Sequence, residues 1–421
     1  MESTRIFRSE KTASPQDCQY RVLMIAPTSF FADYGCHVRI LEEARILKKF
    51  GCQVTICTYH NGRDLQELDI SRSWRIPWRA DYEVGSSRHK IAFDALLFWH
   101  SLGLIRRVKP HIIHAHLHEG ALLGTVLSKV WRVPMVFDYQ GSLTSEMVDH
   151  RFLSPDGPFY SPMRKLENWI DAAAPHIMTS SQNAAELLIR EFDCPPEKVT
   201  HVPDCVNTDV FAPAFSYEDQ LRLKQAWNIP ADRQVIVYLG LLAEYQGIDH
   251  LLRATRLVCD QREDVHLVVA GYPHIEHYRQ VAAELGLADR VTFTGRVRYE
   301  DAPRLLSIGD VAVSPKLSKT EGAGKLLNYM SMGLPTVAFD TQVSHEYLGP
   351  RGMYAAVGDS EDLARCLYAL LENREHRLAL GAALRARAQE LYSWDSSART
   401  ILDIYAAMTG RMPARADIVT D

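Results

Sequence analysis

The chain has 421 residues, which is too long for one ordinary domain and fits two. Apolar residues make up 47% and charged residues 24%, as in globular proteins, and a net charge of −5 gives no positive field to attract nucleic acid. The eight cysteines are scattered without a CxxC pair, which indicates reduced thiols. No apolar run is long enough to span a membrane. These totals favour a cytoplasmic protein with no nucleic-acid partner.

Short apolar runs alternate with helical patterns along the first half of the chain. Residues 1–20 mix both charge signs and lack an apolar centre, so we expect a flexible tail without a secretion signal. Strands are predicted at 21–26, 53–59, 111–116, 134–139, 176–181 and 199–203. Helices are predicted at 36–50, 90–107, 120–131, 162–173 and 182–191. Residues 60–87 are predicted to be a polar loop, and 204–216 a linker.

The same alternation restarts after the linker. Strands are predicted at 234–240, 265–271, 290–295, 311–315 and 335–339. Helices are predicted at 247–261, 274–286, 300–308, 322–332, 359–373, 374–391 and 395–408. Units of this kind form a parallel sheet covered by helices on both faces, because crossovers between parallel strands are right-handed. We therefore predict an α/β fold with two Rossmann-like doubly wound domains, at 21–210 and 211–393, which face a central cleft.

Glycines and polar side chains recur just after the predicted strands, where doubly wound sheets bind their ligands. In the first half these residues are Gly35, His116, His118, Glu119, Gln140 and Gly141. In the second half they are Gly240, Gly271, Arg296 and Lys316. Their repetition at equivalent strand ends predicts a ligand-binding cleft between the domains.

The stretch "KTEGAGKLLNYMSMGLPTVAF" (319–339) predicts a phosphate site. A helix start offers free backbone N–H groups and the positive end of a dipole. Lys325 adds a charge there, and Gly322 and Gly324 place no side chain in the way of a ligand.

Six motifs in this order and spacing resemble one enzyme family. They are "IIHAHLHEGALLG", "VTHVPDCVNTDVFAP", "YLGLLAEYQGIDHLL", "VVAGY", "LADRVTFTGRV" and "KLLNYMSMGLPTVAF". Over about residues 21–405 the chain resembles the retaining glycosyltransferases of family 4, which have the GT-B fold. The resemblance implies sugar transfer from a nucleotide-diphosphate sugar to a glycan, lipid-linked or small-molecule acceptor, without a metal ion or other cofactor. It also implies that the first domain holds the acceptor, the second holds the donor, and residues 394–421 cross back to the first domain.

The same resemblance assigns candidate roles to residues of this chain. Glu321 is expected to contact the donor sugar, and His116 and His118 are the other catalytic candidates. The acceptor-binding candidates are Glu119, Gln140 and Gly141. The donor-binding candidates are Gly35, Gly240, Gln246, Gly271, Arg296, Lys316, Gly322, Gly324, Lys325, Leu326 and Asn328.

The chain departs from the family pattern at the donor site. Leu241 and Gln246 stand where the family has an arginine and a lysine that grip the diphosphate. Losing two charge-assisted hydrogen bonds would cost roughly 3–6 kcal/mol, so either other cations take their place, with Lys325 the preferred substitute, or the donor site is unusual. Six residues separate Glu321 from Asn328, whereas in the family seven residues separate this glutamate from a second glutamate. In the first domain, Gln140 replaces a histidine that commonly contacts the sugar.

Several other interpretations stay open from the sequence. His114, His116 and His118 alternate like metal ligands, but without a matching set of carboxylates or cysteines we favour packing or acceptor contact. The "RSWRIPWR" stretch (72–79) and the helix at 90–107 could contact a membrane surface at the inner face, although a solvated loop and core packing are the default interpretations. A noncatalytic nucleotide-sugar-binding protein and a GT-B epimerase or hydrolase are the rival functions.

Overall fold

The first half of the chain forms a parallel sheet with helices on both faces. The computed structural model describes residues 19–32, 35–75, 90–149, 152–318 and 323–411, and in the first half of that range the sheet has seven strands. They are β1 (Arg21–Ala26), β2 (Gln53–Thr58), β3 (Asp69–Arg72), β4 (Ile112–His116), β5 (Met135–Tyr139), β6 (Ile177–Thr179) and β7 (Val199–His201). The helices are α1 (Gly35–Lys49), α2 (Lys90–Val108), α3 (Leu117–Trp131), α4 (Leu143–Asp149), α5 (Tyr160–Ala173) and α6 (Gln182–Glu191).

The second half repeats this plan on a six-stranded parallel sheet, counted over the same described residues. Its strands are β8 (Gln234–Leu239), β9 (Val265–Ala270), β10 (Val291–Gly295), β11 (Val311–Ser314), β12 (Thr336–Phe339) and β13 (Met353–Ala355). Its helices are α7 (Tyr217–Ala226), α8 (Ile248–Cys259), α9 (Ile275–Glu284), α10 (Ala302–Leu306), α11 (Gly324–Ser331), α12 (Gln342–Leu348), α13 (Ser360–Glu372) and α14 (Arg374–Leu391). A last helix, α15 (Trp394–Thr409), follows.

The strand orders place a crevice at equivalent positions of the two sheets. The orders are β3-β2-β1-β4-β5-β6-β7 and β10-β9-β8-β11-β12-β13. Each order changes direction beside its first strand, between β1 and β4 and between β8 and β11. In doubly wound sheets this switch point is where ligands bind, beyond the carboxyl ends of the strands. The predicted fold class is confirmed.

The sequence-based element boundaries need four corrections. The predicted loop at 60–87 contains the edge strand β3, whose polar residues "DISR" gave no apolar signal. The structure also contains α4, α7, α12 and β13, which were not predicted. The predicted helix at 300–308 is shorter, because α10 covers only Ala302–Leu306. The predicted tail extends too far, since Tyr20 is fully buried; residues 1–18 of the tail lie outside the described range.

The last helix lies against the first domain although it follows the second. Tyr405 of α15 hydrogen-bonds through its hydroxyl to Nδ1 of His114 on β4, at 2.7 Å. The thiol of Cys205 lies 3.0 Å from the hydroxyl of Ser397, also on α15. The last helix therefore crosses back and packs on α1 and its neighbours.

A buried arginine holds the first domain together at the carboxyl end of its sheet. Nε of Arg39 on α1 donates to Oδ1 of Asp138 on β5 at 2.9 Å, and Nη1 donates to Oδ1 of Asp204 at 2.9 Å. Nη2 lies 3.0 Å from Oε1 of Glu43, one helical turn away. We call Arg39, Glu43, Asp138 and Asp204 the Arg39 network. Because Arg39 and Asp138 are almost fully buried, the charge of each depends on the other for stabilisation. Burial and the charge of Asp138 raise the pKa of Glu43 well above its ordinary value.

The Arg39 network also reaches the second domain. The hydroxyl of Tyr347, on α12, lies 3.4 Å from Oδ2 of Asp204 and 3.4 Å from the carbonyl oxygen of Ser180. Asp204 therefore contacts Arg39 on one side and a tyrosine of the other domain on its other side. This places the network at the junction of the two halves.

Replacing Arg39 should strongly destabilise the fold. In Arg39→Met the buried carboxylate of Asp138 loses its counter-charge, and breaking a buried pair in this way costs about 3–5 kcal/mol. Arg222→Met, on the exposed surface of α7, is the matched control and should stay within about 0.5 kcal/mol of the parent. Urea unfolding followed by circular dichroism measures both. A loss of less than about 1 kcal/mol in Arg39→Met would show that the network is not a main support of the fold.

Two pairs of loops at the carboxyl end of the second sheet approach each other too closely for side chains. A Cβ atom on Gly271, after β9, would lie 1.8 Å from the carbonyl oxygen of Gly240, after β8. A Cβ atom on Gly247 would lie 1.9 Å from the carbonyl oxygen of Pro315, after β11. These glycines let the loops after β8, β9 and β11 meet in one place.

An alanine at Gly271 should separate those loops. Gly271→Ala forces the backbone after β8 or β9 to move, and we expect a loss of about 1–3 kcal/mol in unfolding free energy. Gly103→Ala is the matched control, because Gly103 lies in α2 and a Cβ atom added there would meet nothing within 4 Å. That change should be neutral or stabilising by up to about 1 kcal/mol, since alanine favours a helix. Equal thermal midpoints for Gly271→Ala and the parent would contradict the packing described here.

Candidate active site

The segments that follow the strands of the two sheets face each other across a cleft. The hydroxyl of Tyr272, after β9, donates to the carbonyl oxygen of Ala32, after β1, at 3.0 Å. The hydroxyl of Ser318, after β11, donates to Oδ2 of Asp149, at the end of α4, at 2.8 Å. The carboxyl ends of both sheets therefore line the same space, as the sequence predicted.

Lys325 is half-buried in the first turn of α11, in the second domain. Its ammonium group donates to Oε1 of Gln246 at 2.6 Å and to the hydroxyl of Tyr238 at 3.1 Å. The same group lies 4.4 Å from the centroid of the Tyr238 ring, which is within cation–π range. A Cβ atom on Gly240 would lie 2.8 Å from it, so Gly240 leaves the room that Lys325 uses.

The pairing of Lys325 with Gln246 explains how the chain departs from the family pattern. Gln246 is buried in the turn after β8, at the position where the resemblance places a lysine. Its amide oxygen accepts a hydrogen bond from a lysine of another element, α11. The ammonium group of Lys325 therefore lies within hydrogen-bond distance of the residue that stands at this position.

The other donor-side candidates lie on other segments. Lys316 is buried in the segment after β11, and the N–H of its neighbour Leu317 donates to the carbonyl oxygen of Tyr245 at 2.9 Å. The exposed guanidinium of Arg296 lies 5.0 Å from the centroid of the Tyr272 ring. Gly35 is the exposed first residue of α1, on the opposite side of the cleft.

Helix α11 begins two residues later than the sequence indicated. Gly324 is its exposed first residue, and Asn328 is half-buried one turn further on. Leu326 is a correction: its side chain is fully buried in the core and its N–H donates to the carbonyl oxygen of Ala323 at 2.8 Å. Its apolar side chain faces inward with the other core positions of the helix, so it does not contact the cleft. Glu321 and Gly322 lie outside the described residues.

Asp138 organises the polar groups on the first-domain side. Its Oδ2 accepts from Nε2 of Gln140 at 2.7 Å and lies 2.9 Å from Nδ1 of His116. Burial opposes the charge on Asp138, but Arg39 and His116 outweigh burial and hold its pKa well below the ordinary value. Asp138 is therefore a permanent anion that orients Gln140, one of the predicted acceptor-binding residues.

The two histidines predicted to be catalytic have other positions than expected. His116 is fully buried beneath Gln140, and its ring stacks on that of His114 with centroids 4.5 Å apart. His118 is 3% exposed and faces α5. His116, at the end of β4, and His118, in the first turn of α3, both have their side chains buried in the domain, so they support neighbouring groups instead of the cleft.

The remaining acceptor candidates lie near the strand ends of β4 and β5. Glu119, in the first turn of α3, forms an ion pair with Lys90 of α2. Burial would raise the pKa of Glu119, but Lys90 outweighs this and lowers it. A Cβ atom on Gly141 would lie 2.4 Å from Oε1 of Glu146, so a side chain at this position would require the Glu146 side chain to move. These groups form a polar wall opposite Lys325.

Two buried clusters have side chains of the kinds that bind metals. One contains Glu43, His114, His116 and Asp138, and the other contains His118, Glu167 and Asp171. No carboxylates accompany the three histidines in the sequence pattern, but the fold brings carboxylates from other elements next to them. In the first cluster, Arg39 already engages Asp138 and Glu43, so a cation is present and a metal ion is disfavoured.

Sequence reasoning missed several residues that build the site. Arg39, Asp138 and Tyr238 were not singled out, although Arg39 and Glu43 stand four residues apart among apolar residues of a predicted helix, which signals a buried pair. Glu167 and Asp171 show the same spacing on α5.

Over the residues with described positions, no helix is both long enough and apolar enough to cross a bilayer.

Comparison with known proteins gives matches along most of the chain. The family model described as glycosyl transferases group 1 matches residues 219–387, and the model described as glycosyltransferase family 4 matches residues 35–210. A D-inositol 3-phosphate glycosyltransferase of Corynebacterium aurimucosum is 24% identical and covers 90% of this chain and 92% of its own. Another from Xylanimonas cellulosilytica is 26% identical and covers 90% of this chain and 93% of its own.

Solved structures share the fold at low sequence identity. A sucrose-phosphate synthase from Thermosynechococcus elongatus superposes with a TM-score of 0.79 at 17% identity, over 93% of this chain and all (100%) of that protein. The Anabaena protein HepE in complex with UDP-glucose gives a TM-score of 0.75 at 16% identity, over 92% of this chain and 100% of that one. With the two facing sheets and their shared cleft, these matches show that the chain is a glycosyltransferase of family 4 with the GT-B fold.

Proposed function

We propose that this enzyme transfers a sugar from a nucleotide-diphosphate sugar to an acceptor with retention of anomeric configuration. The observation that supports the donor most directly is the contact of Lys325 with Gln246 beside Gly240. It places a positive charge at the carboxyl ends of the central strands of the second sheet, where a diphosphate would need one. HepE, a neighbour in fold, was solved with UDP-glucose, which supports a nucleotide sugar as the donor here.

The proposed chemistry depends on stabilising the leaving diphosphate. As the bond from the anomeric carbon to the phosphate oxygen breaks, negative charge develops on that oxygen. Lys325 and the N–H groups at the start of α11 would stabilise this charge, and Arg296 and Lys316 would add to the positive potential. The acceptor hydroxyl would then bond to the same face of the sugar and pass its proton to the leaving phosphate. No metal ion at the reacting sugar is required by this scheme.

The acceptor would bind against the first-domain wall. Gln140 is oriented there by Asp138, and the pair of Glu119 and Lys90 lies beside it. A glycan, a lipid-linked glycan or a small polyol would each offer hydroxyls to such groups.

A peripheral membrane contact fits the exposed Trp99 and Ile91 on α2, and cytoplasmic placement at an inner membrane face stays a prediction. The role of Glu321 at the donor sugar also stays a prediction.

Exchanging the two partners tests the donor site. Lys325→Gln should weaken binding of UDP-glucose or another nucleotide-diphosphate sugar about 10–100-fold, because one charge-assisted contact is worth about 1.5–3 kcal/mol. Gln246→Lys alone should also weaken binding, since two ammonium groups would share one place. The double variant Lys325→Gln/Gln246→Lys should recover most of the affinity. Isothermal titration measures all three.

A matched control removes a charge elsewhere in the same domain. Arg253→Gln, on the exposed side of α8, should leave the affinity for the nucleotide sugar unchanged. Parent binding should weaken with added salt, because a half-buried ammonium is partly screened. Unchanged affinity in Lys325→Gln would show that the diphosphate lies elsewhere.

The reaction type needs a separate measurement. Panels of UDP-, GDP- and ADP-sugars would be incubated with and without candidate acceptors, and products followed by NMR. A product with the donor's anomeric configuration, formed only with an acceptor, is the expected result. Donor conversion without an acceptor would indicate an epimerase or a hydrolase instead, and an inverted product would contradict retention.

A further inference from the structure

A second buried cluster lies between α3 and α5, on the inner side of the first-domain wall. It consists of His118, Glu167 and Asp171, and we call it the His118 cluster. Nε2 of His118 lies 3.4 Å from Oδ1 of Asp171 and 3.8 Å from Oε1 of Glu167. The exposed fractions of the three residues are 3%, 0% and 1%. Neither the donor site nor the acceptor wall uses these groups.

The atoms that converge in the His118 cluster lack hydrogen-bond partners among the described residues. Nε2 of His118, Oε1 of Glu167 and both carboxylate oxygens of Asp171 are buried without such a partner. Burial would lower the pKa of His118, but Asp171 and Glu167 outweigh burial and raise it. One protonated imidazole would balance only one of the two buried carboxylates, and an uncompensated buried carboxylate is costly. Native proteins almost always satisfy buried polar atoms, so this concentration of unsatisfied ligand atoms points to a bound cation.

The orientation of Glu167 is fixed from outside the cluster. Its other oxygen, Oε2, accepts a hydrogen bond from the N–H of Thr144 at 3.2 Å and another from the Thr144 hydroxyl. Nη1 of Arg164 lies 3.7 Å from that same oxygen. Oε1 is therefore left facing His118. Carboxylates that bind metals are commonly held by an outer hydrogen bond of this kind.

We propose that the His118 cluster binds a divalent transition-metal ion such as Zn²⁺. The three candidate ligand atoms lie within 4.8 Å of one another. Zn²⁺ binds nitrogen and oxygen at about 2.0–2.2 Å in tetrahedral geometry, which places neighbouring ligand atoms about 3.3–3.6 Å apart. The separations of 3.4 and 3.8 Å are close to those values. Two carboxylates and a neutral imidazole would balance the charge of the ion.

A water molecule is the candidate for the fourth ligand position. Tyr139 lies next to the cluster, with its ring centroid 5.2 Å from that of His118, and its hydroxyl is buried without a hydrogen-bond partner among the described residues. Burial raises the pKa of Tyr139 well above its ordinary value, so its hydroxyl stays protonated and could hydrogen-bond to such a water. Such a site would join α3 to α5 directly behind Glu119 and Gln140, and would stabilise the acceptor side of the cleft without touching the reacting sugar.

The Arg39 network shows why the His118 cluster is the better metal site. Both clusters combine histidine with buried carboxylates. In the Arg39 network the guanidinium compensates Asp138, while burial and the charge of Asp138 raise the pKa of Glu43 well above its ordinary value. In the His118 cluster, Arg164 reaches only the oxygen of Glu167 that faces away from His118.

The test loads the full-length chain with metal. Chelator-treated protein would be equilibrated with Zn²⁺, desalted and assayed for zinc by mass spectrometry. About one tightly held ion per chain is expected in the parent. Thr144→Val removes an outer hydrogen bond to Glu167 and should weaken Zn²⁺ binding roughly 10–100-fold. Asp171→Asn removes a ligand and should weaken Zn²⁺ binding by more than that. Co²⁺ in place of Zn²⁺ should give the visible spectrum of a tetrahedral site with nitrogen and oxygen ligands.

A matched control separates this site from adventitious binding. His266→Gln removes another buried histidine, which bonds to Thr292 at 2.8 Å in the second domain, and should leave the tight Zn²⁺ site intact. If Asp171→Asn does not fold, zinc binding by the parent and by Thr144→Val still tests the proposal. Absence of tight Zn²⁺ in the folded parent, equal binding in Thr144→Val, or a thiolate-type Co²⁺ spectrum would each overturn the proposal. All three outcomes leave donor binding by Lys325 unaffected.

Discussion

The buried ion pair between Arg39 and Asp138 is the interaction on which the first domain's side of the cleft depends. It joins α1 to the end of β5 and continues to Asp204 at the start of the linker. From Asp138 it fixes Gln140 at the surface, and from Asp204 it reaches Tyr347 of the second domain. The orientation of the acceptor wall and the junction of the two halves therefore depend on one charge that has almost no access to water.

The donor side illustrates a different physical rule. A diphosphate requires positive charge at a point in space, and it does not matter which element supplies it. Here Gln246 occupies the family's lysine position, while Lys325 reaches the same point from α11 and binds the glutamine oxygen. The glycines at 240, 247 and 271 make this convergence possible, because they let three loops meet where side chains would collide.

The two histidine clusters show how a similar composition can serve different purposes. A guanidinium placed among carboxylates makes a rigid, compensated structural centre. Carboxylates brought beside a histidine without such a partner retain ligand atoms that a metal ion can use. Both clusters lie behind the strand ends of the first sheet, so the cleft of this family 4 glycosyltransferase is supported from within by buried charge and not only by apolar packing.

The sequence by itself determined the α/β class, the two repeated units and most strands, because buried parallel strands are continuous apolar runs between helical patterns. It also singled out Lys325 as a candidate phosphate-binding cation, which stays a prediction. The edge strands β3 and β13 escaped it, because short edge strands carry little apolar signal. Only the tertiary structure decided that His116 and His118 face inward and that Lys325 meets Gln246, 79 residues away along the chain. Contacts of that kind depend on strand order and loop approach, which local residue patterns do not encode.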